Sequence, residues 1–283
     1  MKSKMKKKII PSELNTKDRH QFLIGAIAPR PIAFVSTIDE EGRPNLAPYS
    51  FFNAFSSTPP IVVFSSNRKV RDNSTKDTLS NVRKNRGLVI SVVNHAIARQ
   101  MVLTSVEFPS GVNEFEKAGF TPVPASIVSA PLVKESPINM ECRVNDIITL
   151  GEQGGAGHLI ICEVLAMHIE EEIIDENNRI DPHKLDLMGR LGRSYYVRSS
   201  GDCVETIHLN ASDPVIGFDG LPEHIVKSKT LSGNAIAAMA ALTQWPDDEL
   251  IQEVKGKYNG NAEKAAAKLL EEGKALDALA LLM

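Results

Sequence analysis

Between Pro29 and Thr78 the chain gathers short polar side chains and one cation: Ser36, Thr37, Ser50, Asn53, Ser65 and Ser66, then Lys76-Asp77-Thr78 at a helix start. Hydroxyls, backbone N–H groups, a lysine and a helix N-terminus can together satisfy a phosphate without a glycine loop. The outline is that of an anion pocket. Serine, threonine and aspartate near helix starts also serve as caps, and spacing alone favours capping.

Other familiar chemistries leave no trace. The sequence has no GxxxxGK(S/T) run and no GxGxxG that opens a helix after a strand. Gly154-Gly155-Ala156-Gly157 comes nearest, but extended segments flank it, so it reads as a hairpin loop. The seven histidines show neither HExxH nor paired spacing, which predicts no metal site. No GxSxG elbow supports nucleophilic hydrolysis. Catalytic residues stay unassigned.

The elements that must position the polar cluster are readable from pattern. Asp18 to Ala28 has helical polarity and stops at Pro29-Arg30-Pro31, where extended chain is favoured. A strand from Ile32 to Ile38 and a second from Pro44 to Ala47, joined by Asp39-Glu40-Glu41-Gly42, predict an antiparallel hairpin. Tyr49 to Thr58 reads as a connecting stretch between strands, closed by Pro59-Pro60 before the strand Ile61 to Phe64. Thr75 to Arg86 reads as a helix ended by Gly87, with a strand from Leu88 to Val93. Asn94 to Ser105 and Asn113 to Ala118 are helical by period, Thr121 to Pro137 is irregular, and Met140 to Leu150 and His158 to Ile174 are long strands. Many strands with few repeated β-α units favour a barrel, so the expected class is mainly β with added helices.

From Leu221 onward helix formers dominate, over Ser232 to Trp245, Pro246 to Tyr258 and Ala262 to Leu282, the last divided at Gly273. The expected organisation is a basic flexible tail at 1–14, a barrel domain at 15–220 and a C-terminal helical extension at 221–283. A narrow stripe of Ala262, Ala265, Ala266, Leu269 and Leu270 suggests a helical hairpin covering the barrel or a neighbouring subunit.

With 32 Lys plus Arg against 35 Asp plus Glu in 283 residues, the net charge of −3 argues against a nucleic-acid binder. Three cysteines match neither a disulfide framework nor zinc spacing, which suits a reducing cytoplasm. Apolar runs fall far short of a membrane span. The five lysines of Met1 to Lys8 lack an apolar partner segment and read as a solvated tail.

Longer pieces carry a resemblance. PRPIAFVSTID at 29–39 and NLAPYSFFNAFSSTPPIVVFSS at 45–66, with KDT at 76–78, TS at 104–105, GVNEF at 111–115, Glu141-Cys142, GRLG at 189–192 and Tyr195, resemble the flavin reductase-like family of FMN-binding split barrels. The resemblance covers roughly residues 15–200. It implies a six-stranded Greek-key split β-barrel with added helices, usually a homodimer, with FMN near the subunit interface. Carried onto this sequence, it implies that Ser36 and Thr37 face the flavin. Ser50, Phe51, Phe52 and Asn53 would serve the isoalloxazine and ribityl chain, and Ser65, Ser66, Lys76, Asp77 and Thr78 the phosphate. Arg190 and Tyr195 would approach the cofactor.

The implied activity is that of an FMN-dependent oxidoreductase, an NAD(P)H:flavin reductase or related electron-transfer flavoprotein, with NADH or NADPH as donor. An oxygenase or other electron acceptor is the implied partner. A flavin brings its own reactivity, so the absence of a triad is no obstacle. The alternative is a non-catalytic FMN-binding or sensing protein whose C-terminal helices contact a partner. Whether FMN is held as a cofactor or turned over as a substrate stays open in the sequence.

Overall fold

A computed structural model describes residues 5–207 and 213–283; the first four residues of the basic tail and the segment 208–212 lie outside the described residues. The chain divides into two compact units, Met1–Glu205 and Thr206–Met283.

The first unit starts with α1 (Thr16–Ala26), whose Asn15 cap accepts from the Asp18 N–H. β1 (Ala33–Ile38) and β2 (Pro44–Tyr49) form the expected hairpin, with Ile38 opposite Pro44. Asp39 Oδ1 fixes the turn by accepting from the Glu41 and Arg43 N–H groups, while Gly42 takes a positive φ of 76°. β3 (Phe52–Ser57) and β4 (Pro60–Asn67) follow, then α2 (Asp77–Asn85), β5 (Gly87–Ser91), α3 (Ala98–Leu103) and α4 (Glu114–Ala118). The short pair β6 (Pro122–Val123) and β7 (Leu132–Val133) precedes two long strands, β8 (Ile138–Thr149) and β9 (Gly157–Ile169). α5 (Pro182–Leu185), β10 (Leu187–Arg190) and β11 (Tyr196–Ser199) complete the unit.

Seven strands form one antiparallel sheet in the order β2-β1-β5-β8-β9-β4-β3. Its two edge strands, β2 and β3, are consecutive in the chain, joined only by Ser50 and Phe51. The sheet therefore coils until its edges approach: the Tyr49 ring on β2 lies 5.1 Å from that of Phe64 on β4, and the Ser65 N–H donates to the Phe51 carbonyl at 2.8 Å. Alternation along β1 serves two cores. Ala33 and Val35 join Phe64, Leu79, Ile90, Cys142 and Ile160 inside the coil, whereas Ile32 and Phe34 pack outside it with Met101 of α3 and Phe115 of α4. At Gly157 a Cβ would come 2.6 Å from Ser65 Oγ, so only glycine lets β9 lie this close to β4 there.

Several expectations change. The stretch Tyr49 to Thr58 is not a loop, because Phe52–Ser57 pairs with β4 as an edge strand, which also makes seven strands where six were implied. Only Phe52 of that strand is even half-buried, so no hydrophobic alternation announces it. Gly87 opens β5, and the left-handed residue ending α2 is Arg86 at φ 57°. The helix expected over Asn94 to Ser105 shortens to α3, since Asn94 bridges to Leu187 and its side chain accepts from the Ile97 N–H in a turn. The three cysteines are free, and burial pushes the Cys142 thiol up to about 12.

One buried charge organises the irregular 121–137 stretch. Glu141 on β8 is fully covered, and its carboxylate accepts from the N–H groups of Ser126 (3.0 Å), Ile127 and Val128 (2.9 Å), from Ser126 Oγ, and from His168 Nε2 (2.8 Å). Burial alone would raise its pKa, but these bonds outweigh burial and bring it down to about 2.

The second unit is helical: α6 (Gly217–Gly220), α7 (Glu223–Val226), α8 (Gly233–Ala240), α9 (Asp248–Lys257), α10 (Ala262–Glu271) and α11 (Ala275–Leu282). Ser232, Asp247 and Asn261 cap α8, α9 and α10, and Gly273 divides the last two helices at a positive φ of 75°. The helices of the unit pack on one another as a bundle. Ile225, Met239, Ala266, Leu269 and Leu279 bury one another, so the apolar stripe finds its cover within the unit. Among the described residues no helix is long and apolar enough to cross a membrane.

Candidate flavin-phosphate site

The polar cluster converges at the start of α2. Lys76 occupies the N-cap position in extended conformation, and no side chain caps the helix, so the first N–H groups and the positive end of the helix dipole face a cleft. Asn45, Tyr49, Lys69, Lys76, Thr78 and Ser105 line that cleft. The Lys76 ammonium stands 4.9 Å from the Tyr49 ring centroid. Burial lowers its pKa; Glu107 opposes the change from a distance and Lys69 adds to it. Among the described residues no carboxylate forms an ion pair with Lys76; Glu107 pairs with Lys69 instead, and Glu114 accepts from Asn45.

A hydrogen-bonded web holds the cleft from beneath. Thr78 Oγ1 donates to Asn45 Oδ1 at 2.8 Å, and Asn45 Nδ2 donates to both Glu114 oxygens at 3.0 Å. Glu114 also accepts from the Leu46 N–H at 3.0 Å, and burial raises its pKa against the pull of these donors. Asn81 Nδ2 donates to Thr37 Oγ1 at 3.0 Å, tying α2 to β1. Burial pushes the Tyr49 phenol up to about 12 although Thr78 and Ser66 lie near it. Neither Tyr49 OH nor Ser66 Oγ completes a well-formed hydrogen bond, and both are fully covered. His158 Nδ1–H donates to the Ser66 carbonyl at 3.1 Å, and its Nε2 is likewise buried without a partner.

The residues singled out in the sequence do not all meet in one place. Lys76, Asp77 and Thr78 line the cleft together. Ser65 and Ser66 lie behind it on β4, where Ser65 Oγ bonds Asn67 Oδ1 at 2.9 Å and its N–H reaches Phe51. Ser36 and Thr37 are wholly buried on opposite faces of β1: Ser36 Oγ donates to the Pro131 carbonyl at 2.6 Å, and Thr37 belongs to the web under α2. Ser50 borders a second cleft of about 370 Å³ on the other face of β2, with Ile32, Met101, Arg190 and Tyr196; Ser105 borders both clefts. Phe51 lies 5.9 Å beneath the buried Arg30 guanidinium, Phe52 packs on the inner core, and the Asn53 side chain accepts from the N–H of its neighbour Ala54. Arg190 stacks over Tyr196 at 4.5 Å, whereas Tyr195 lines a different cleft with Phe22.

Asn45, Lys69, Ser105 and Glu114 complete the site, and no role was read for them from sequence. Asn45, Ser105 and Glu114 lie inside the quoted pieces NLAP, TS and GVNEF, which was the available signal. Arg30 was missed as well: its guanidinium is buried and donates to the Ile24 (2.6 Å), Ile27 (2.5 Å) and Leu191 (3.1 Å) carbonyls, locking α1 to β10 behind Ser50.

Comparisons with known proteins bear on the family of the chain. Residues 25–185 match the model of the flavin reductase like domain. An uncharacterized protein of Aquifex aeolicus is 40% identical over 185 residues, spanning 65% of this chain and 91% of that one. Nitrilotriacetate monooxygenase component B from Bacillus cereus superposes with a TM-score of 0.67 at 33% identity, over 72% of this chain and 100% of that one. Pseudomonas fluorescens 2-nitrobenzoate 2-nitroreductase NbaA does so with a TM-score of 0.66 at 30% identity, over 75% and 100%. The chain belongs to the flavin reductase-like family. An uncapped helix start, a lysine that pairs with no carboxylate among the described residues and two covered hydroxyls lacking good bonds fit the phosphate end of a flavin mononucleotide.

Proposed function

We propose that the protein is an FMN-dependent oxidoreductase, an NAD(P)H:flavin reductase acting as a cytoplasmic homodimer whose coiled sheet is the family's Greek-key split barrel. The observation that carries this reading is Lys76: a half-buried ammonium at an uncapped helix start, facing a cleft and, among the described residues, in no ion pair with a carboxylate. Lys76, Lys69 and the first N–H groups of α2 would hold the phosphate, while Thr78, whose hydroxyl donates to Asn45, anchors the helix start beneath it. The cleft beside Ser50 supplies apolar and aromatic surface of the kind a ring system needs. Bound flavin supplies the hydride and electron chemistry. The chain's part is to bind, orient and exclude water, which is why no side chain need act as acid or base.

The monooxygenase component among the similar structures supports delivery of reduced flavin to an oxygenase partner. The nitroreductase supports a second reading, direct reduction of a nitroaromatic acid at the same site. Reconstitution with FMN, followed by anaerobic addition of NADH or NADPH, should bleach one flavin per chain. Reoxidation by free flavin or by a nitroaromatic carboxylate then separates the two readings. Failure of FMN to bind would remove both.

A further inference from the structure

The cleft already holds an anion of its own. Glu107, on the segment between α3 and α4, places its carboxylate 3.5 Å from Lys69 Nζ and 3.4 Å from Arg71 Nη2. The run Ser105–Phe108 forms one wall of the Lys76 cleft, so Glu107 travels with that wall. Its charge also favours the ammonium of Lys76 without pairing to it. The geometry points to Glu107 as a displaceable internal counter-anion: it holds the wall against Lys69 and Arg71 until a ligand phosphate takes its place.

This inference rests on the phosphate reading of the cleft and adds a specificity device to it. A phosphorylated ligand must release two ion pairs that a ligand without phosphate leaves untouched. Both pairs are solvent-facing, with side chains 25%, 75% and 52% exposed for Lys69, Arg71 and Glu107, so each is weak and exchangeable. The cost of displacement is therefore small and confined to anionic ligands. The arrangement trades some affinity for a wall that moves when phosphate arrives, and it sets Glu107 apart from Asp39, whose Arg43 partner lies in a turn outside the cleft.

The test uses the full chain and three probes: FMN, riboflavin and inorganic phosphate. Glu107→Gln should tighten FMN about two- to fivefold, the range that exposed ion pairs span, and leave riboflavin unchanged. The half-maximal concentration of inorganic phosphate for thermal stabilisation should fall by a similar factor. In a Lys69→Met/Arg71→Met background the gain from Glu107→Gln should vanish, because no pair remains to release. Equal changes for FMN and riboflavin, weaker FMN binding, or a gain that persists without the two cations would overturn the counter-anion role. A wild-type chain that binds no FMN would sink the functional reading instead, and the phosphate arm alone would still decide the role of Glu107.

Discussion

Two charged groups withdrawn from solvent, Glu141 and Lys76, receive opposite treatment from the same unit. The Glu141 carboxylate collects five donors from Ser126, Ile127, Val128 and His168 and is complete without any ligand. The Lys76 ammonium rests on an aromatic face with, among the described residues, neither a carboxylate ion-pair partner nor a side-chain helix cap. A buried charge that is fully bonded internally holds the fold; on the proposed reading, one left half-solvated at a cleft is kept for something that arrives.

The sharpest way to break this comparison is Glu141→Ala. It strands the N–H groups of the 126–128 turn and should cost about 3 kcal/mol or more, lowering Tm by roughly 6–12 °C, with the FMN-to-riboflavin affinity ratio unchanged. A preserved Tm would show that Glu141 is not the internal pin described above. Lys76→Ala should do the reverse, leaving Tm nearly unchanged while weakening FMN by about 1.5–3 kcal/mol and riboflavin hardly at all. Calorimetric titration with both ligands checks this, and equal losses would refute the phosphate assignment.

Acid should separate the two groups again. The folded Glu141 pKa of about 2 lies below that of an unfolded glutamate, near ~4.3. Its contribution is therefore complete above pH ~4.3 and is lost as pH falls toward 2. Wild type should lose stability across that window, measured by thermal melts, and Glu141→Gln should show a flatter profile. The smallest effect is expected for Thr78→Val, which removes the bond to Asn45 and should weaken FMN by about 1 kcal/mol without altering the acid profile.

Local features of this protein were legible in the sequence and assembled ones were not. Lys76, Asp77 and Thr78 share one helix start, so their convergence needed no tertiary knowledge. Asn45 and Glu114 meet across 69 positions, a distance that no spacing rule spans. Ser36 and Thr37 are neighbours on a strand, and the period of two already sends them to opposite faces, where each finds a partner inside the protein. β3 hid because an exposed edge strand buries too little to pattern its residues. The helical tail announced its helices and the Gly273 break, but not that Ile225, Met239 and Leu279 would bury one another.

The two-residue tie at Ser50–Phe51 has a consequence for engineering. It works like a clasp on a bracelet: lengthening it with a glycine-serine spacer would free both rims of the sheet at once. Such an insertion would slacken the Phe51–Ser65 fastening and the shelf on which Ser50 sits in a single stroke, whereas the same spacer in the 151–157 hairpin would leave the clasp shut.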